Sequence, residues 1–114
     1  MPSSQDHIII HPRVLAAIAA LTTLSVPGVA HLRPRRRAAL ARWFGGHHSP
    51  GVLVHVEGDV VSVDLHLVTN AGFGLLDVSR RVQATVARAI SEMTDMQVGE
   101  VNVHIAGVRA ATYS

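Results

Sequence analysis

The sequence predicts an α+β domain: a two-layer sandwich in the order helix, hairpin, helix, strand, with a three- to four-stranded mixed sheet and both helices on one face. Three observations carry that prediction. Gly51–Glu57 and Val61–Leu67 place apolar residues at every second position, the period of a half-buried strand, and Gly58-Asp59 between them supplies a two-residue hairpin turn. Val78, Val82, Val86 and Ile90 form an unbroken i, i+4 stripe, as on a helix lying against a sheet. Val101, Val103 and Ile105 alternate with Asn102 and His104 as a closing strand.

The elements follow in order. Residues 1–7 read as a flexible tail, and Ile8-Ile9-Ile10 as a short edge strand or a plug against the first helix. Pro12 suits a first helical turn, where its missing N–H costs nothing, and Val14, Leu15, Ile18, Leu21 and Leu24 recur with helical spacing. Val26-Pro27-Gly28-Val29 stops that helix. Residues 33–50 read as a basic loop. The Gly58-Asp59 turn then sets a register: Val56 opposite Val61, Val54 opposite Val63, Val52 opposite Leu65, all on one face. In the second helix Leu75 and Ala89 widen the stripe. Asp77–Arg81 and Arg88–Glu92 are i, i+4 pairs of opposite charge on the other side, the first of them in the favourable acid-first order. A strand–helix–strand crossover is right-handed and makes the last strand parallel to the second hairpin strand.

Composition limits the function classes. A chain of 114 residues, 48% apolar, is expected to be one domain spanning 1–114 with a core of its own. With no cysteine, disulfides, thiol catalysis and cysteine-ligated metals are excluded. The N-terminus lacks a charged-then-apolar signal pattern and no apolar run reaches the ~20 residues of a membrane span, so the expected location is cytoplasmic. All ten basic residues are Arg, which favours bidentate contacts to phosphate and carboxylate.

The candidate contact site is the basic loop. It holds five of the ten Arg residues and the only Trp. Arg33, Arg35, Arg36, Arg37 and Arg42 accompany Leu40, Trp43 and Phe44, whose i, i+3, i+4 spacing groups them on two helical turns. Arginines beside aromatic rings suit an anionic membrane surface or a membrane-anchored protein. The same residues also suit phosphates and stacked bases, and the plainest reading tucks Trp43 and Phe44 against the sheet with solvated arginines.

The sheet side away from the valines carries Leu53, His55, His66, Val68 and His104. With both helices on the valine face it stays open, and it is the candidate self-association face of a homo-oligomer. His55 opposite Ser62 and His66 opposite Gly51 lie too far apart to share a metal at about 2 Å per bond, so neither a metal site nor a cofactor is expected. Glu57 and Asp59 sit unsupported at a turn and Ser79 has no nearby His, so an enzyme is not expected.

The ordered motifs resemble the alkaline-shock-protein, or general-stress Gls, family of bacterial envelope stress response proteins. The matching stretches are Val26-Pro27-Gly28-Val29, Gly51-Val52-Leu53-Val54 leading into Val61–Val68, Gly72-Phe73-Gly74, Val78–Val86 and Val101–Val108. The resemblance implies a cytoplasmic, non-enzymatic, self-associating α+β protein linked to envelope stress; the basic loop, read from its own residues, is the expected membrane contact and would place the protein at the inner face of the cell membrane. It brings no catalytic residues. Phe73 stands where the family usually has tyrosine, and the Arg/Trp loop is more basic than the family's linker. The second-ranked reading is a small basic nucleic-acid-binding module; against it, Gly72-Phe73-Gly74 lacks the spacing of a GxxG backbone clamp.

Overall fold

A computed structural model describes residues 10–34 and 48–110. Its elements are α1 (Pro12–Leu24), β1 (Val29–Leu32), β2 (His48–Ser49), β3 (Val52–Glu57), β4 (Val60–Asn70), α2 (Leu75–Met93) and β5 (Gln97–Arg109). Ile8 and Ile9 lie outside the described residues, while Ile10 is half-buried against the core.

The hairpin register is the one the turn dictates. Val52 pairs with Leu65, Val54 with Val63, His55 with Ser62 and Val56 with Val61. Gly58 adopts φ +62°, a conformation that its missing Cβ makes inexpensive. β5 runs parallel to β4, as a single crossover helix requires.

Five strands fill four places across the sheet. β4 is the central strand and pairs with β1, β3 and β5. His66 explains how one strand serves three. It donates its N–H to the Gly51 carbonyl and accepts the Arg33 N–H, each at 2.8 Å, so β1 and β3 lie end to end along the same edge of β4. β2 then pairs outside β3, through His48–Leu53 and Ser49–Val52. The strand Val29–Leu32 is absent from the sequence reading, which goes from the helix stop directly to the basic loop.

Both helices pack on one face. Val78, Val82, Val86 and Ile90 of α2 are fully or almost fully buried, joined by Val52, Val54, Val61, Val63, Leu65 and Leu67 from the strands. α1 differs from its expected orientation. Its buried face is Leu15, Ala16, Ala19 and Thr23, whereas Val14, Leu21 and Leu24 are exposed. Two alanines let this helix sit close to the sheet, and the larger apolar residues were displaced outward. An apolar helix carries no polar face to settle its rotation, so small residues at the contact decide it.

At the end where α1 finishes and α2 begins, Gly28 (φ +98°) lies under Phe73 and Val78. A Cβ there would sit 2.9 Å from the Phe73 ring and 2.8 Å from a Val78 methyl. Gly28 also accepts the Asn70 N–H at 2.8 Å, which ties the helix stop to the end of β4.

Candidate functional site

The open sheet face and the edge where the basic segment leaves the sheet are one continuous region. β1 ends at Leu32, Arg33 bonds to His66, and Gly51 bonds to the same residue from the other side. Residues 34–50 therefore interrupt what is otherwise a single strand line, with both ends held at one point. The closeness is physical: a Cβ on Gly51 would lie 2.9 Å from the Arg33 nitrogen, the His66 oxygen and the Leu32 Cβ. Gly51 has φ +78°, so glycine is required both by the backbone and by the crowding.

Arg33 does not simply project into solvent. From the β1 edge of β4 its guanidinium Nη1 donates to the Ala106 carbonyl of β5 at 3.3 Å. To do so the side chain crosses the open face of β4. Val68 lies along that path, beside Gly107, and is only 6% exposed. The aliphatic stem of an arginine covers apolar surface while its head stays polar, which accounts for a buried valine on an otherwise open face.

Next to this strap, His66 and His104 occupy paired positions on β4 and β5. Their rings stack with centroids 4.3 Å apart and planes 10° apart. The Asp64 carboxylate lies 3.5 Å from His104 Nε2, an ion pair only when that histidine is protonated. The face therefore carries Arg33 from the end of β1, Asp64 and His66 on β4, and His104 on β5. Among the described residues, no group of three or more His, Asp or Glu is arranged to hold a metal ion. Arg88 lies elsewhere, on α2, where its hydrogen bond to Glu92 raises its pKa above the usual arginine value.

The residues singled out in the sequence divide accordingly. Arg35, Arg36, Arg37, Leu40, Arg42, Trp43 and Phe44 lie outside the described residues. Arg33 is placed, and is strapped to the sheet. Leu53 (43% exposed), His55 and His104 are exposed on the open face, His66 is half-buried, and Val68 is covered. Sequence reasoning put His66 and His104 on one face but missed that they touch, because no tight turn sets the register across a helical crossover. It also missed the Arg33 strap, a contact between residues 73 apart in the chain.

Residues 1–110 match the model of the alkaline shock protein 23 family, which is described as having a cell envelope-related function. The chain belongs to that family. Among family relatives it is 30% identical over 104 residues to YqhY, an uncharacterized protein of Bacillus subtilis (strain 168), covering 90% of this chain and 77% of that one. It is 31% identical over 104 residues to an uncharacterized protein of Streptococcus pyogenes serotype M6, covering 90% and 79%. Among solved structures, a multiply substituted MamM CTD superposes with a TM-score of 0.56 at 14% identity, covering 87% of this chain and 94% of the other. A second MamM CTD variant gives 0.52 at 12% identity, covering 90% and 100%. At such identities the likeness is one of fold. The alkaline shock protein 23 family thus supplies an envelope connection, and no helix among the described residues is long and apolar enough to cross a membrane.

Proposed function

We propose that this protein is a non-catalytic scaffold of the bacterial envelope stress response, cytoplasmic and peripheral at the inner face of the cell membrane. In this reading it self-associates and applies residues 33–50 to an anionic membrane surface or a membrane-anchored protein. The observation that carries the reading is the interruption of one strand line at Arg33 and its resumption at Gly51. A segment held at both ends by one point of a sheet can meet a surface without disturbing the core beneath it. The envelope-related function of the family supports the choice of surface.

The magnitudes are adequate. Each Arg close to an anionic leaflet contributes about 1 kcal/mol, and besides Arg33, which bonds to the sheet, the segment contains Arg35, Arg36, Arg37 and Arg42. Trp43 and Phe44 add interfacial anchoring at headgroup depth. The sum gives micromolar to millimolar attachment, reversible and sensitive to salt, as suits a peripheral protein.

Flotation with phosphatidylglycerol-containing vesicles tests this. The protein should float with anionic vesicles at low salt and stay behind with neutral ones, and Arg35→Gln/Arg36→Gln/Arg37→Gln should abolish flotation. Indifference to both lipid charge and these substitutions would remove the membrane reading. Tight, salt-sensitive binding to single-stranded RNA in its place would promote the nucleic-acid alternative.

A further inference from the structure

The free edge of β5 carries a second surface. Among the described residues β5 pairs with β4 alone. Which of its backbone groups are spare follows from His66, whose N–H and C=O both face β1 and β3. Alternation along β4 turns the groups of Leu65 and Leu67 toward β5. In a parallel ladder these two bond to the residues flanking their partners Val103 and Ile105, which are Asn102, His104 and Ala106. Val103 and Ile105 therefore point their own N–H and C=O away from the sheet. Val101 has the same phase, and its carbonyl accepts the Gln83 side-chain amide of α2 at 3.0 Å rather than a strand N–H.

This edge lacks the usual protection. Between Glu100 and Arg109 there is no charged residue other than the titratable His104, and no proline. Register shifts flank the window, but Val101 through Ile105 is regular. On the helix-covered side Val101, Val103 and Ile105 are only half-buried. The α2 side chain that reaches this edge is Gln83, which is uncharged.

We propose that a second copy of this chain adds to the β5 edge, antiparallel, across a two-fold axis at Val103. This rests on the self-association reading above and assigns its interface. The register places Val103 opposite its own counterpart and Val101 opposite Ile105 in hydrogen-bonded pairs, with the Gln83 amide sharing or yielding the Val101 carbonyl to the incoming Ile105 N–H, and it closes an apolar ladder over the half-buried side. On the other face Asn102 comes opposite His104, an amide beside an imidazole. No like charges meet. The self-complementarity of this window is the reason for choosing a second copy over a foreign strand.

The test has two parts. Light scattering across a wide concentration range compares the wild type with Val103→Pro, which deletes an N–H that no strand among the described residues uses and which an edge position tolerates. Because the chain has no cysteine, Asn102→Cys and His104→Cys chains can also be mixed under mild oxidation. They face each other in a non-hydrogen-bonded pair, where the Cα separation of about 4.5 Å permits a disulfide. The expected result is a multi-chain wild type, a Val103→Pro variant of single-chain mass with unchanged circular dichroism, and a mixed disulfide dimer. If Val103→Pro fails to fold, the mixed disulfide decides alone. A multi-chain wild type with no mixed disulfide overturns the β5 interface and leaves self-association standing. A wild type of single-chain mass at every concentration overturns both and leaves the edge to another protein's strand or to water.

Discussion

Replacing Gly51 with alanine isolates the point where the basic segment rejoins the sheet. Two costs are separable there. An L-residue at φ +78° carries a left-handed penalty of about 1–2 kcal/mol. A Cβ placed 2.9 Å from the Arg33 nitrogen and the His66 oxygen meets backbone, which yields only by moving the junction, at a further ~1–3 kcal/mol. Gly58 is the internal control. Its φ is +62°, but a Cβ there meets nothing within 4 Å, so Gly58→Ala incurs the first cost alone. Urea denaturation of both variants, with a slope of about 1–2 kcal/mol per molar, should lower the midpoint for Gly51→Ala by roughly 1–2 M more than for Gly58→Ala if the crowding acts in full. Equal midpoints for the two would refute the crowded junction, and with it the claim that residues 34–50 leave and return at one point.

Further expectations test the core, a buried hydroxyl and the strap. Leu65→Ala, at a fully buried position of the central strand, should cost about 3 kcal/mol in the same titration. Thr69→Val replaces a buried hydroxyl without a hydrogen-bond partner among the described residues by a methyl group, and should raise the melting temperature through a gain of about 1 kcal/mol. Arg33→Ala removes the bond to Ala106 and uncovers Val68. It should cost about 1 kcal/mol and speed amide hydrogen exchange around Val68 and Gly107, whereas unchanged exchange would count against the strap.

Much of the fold was legible because local chemistry and pattern agreed. The Gly58-Asp59 turn and the alternating valines on either side specify one register, and a one-residue slip would have reversed both faces. The α2 stripe was equally plain, since charged residues occupy its opposite side. α1 was misread in rotation because Val14, Leu21 and Leu24 keep helical spacing while alanines make the contact. β1 was missed because four residues between a Pro-Gly stop and an arginine run offer too short a pattern. The early start of β5 at Gln97 was hidden by Gly99 and Glu100, which interrupt the alternation at a register shift. The candidate site was legible only as a face. That His66 and His104 touch, and that Arg33 crosses to Ala106, depends on how distant strands align, which no local pattern encodes.

The central claim is that the Arg/Trp segment meets an anionic surface, and the lone Trp43 reports on it directly. Its fluorescence should be recorded with and without anionic vesicles, at low and at high salt. The account predicts a blue shift on adding vesicles at low salt that disappears at high salt, where charges more than a few ångströms apart are screened. An emission already blue in buffer and unmoved by vesicles would show Trp43 packed against its own protein and would contradict the membrane role of this segment.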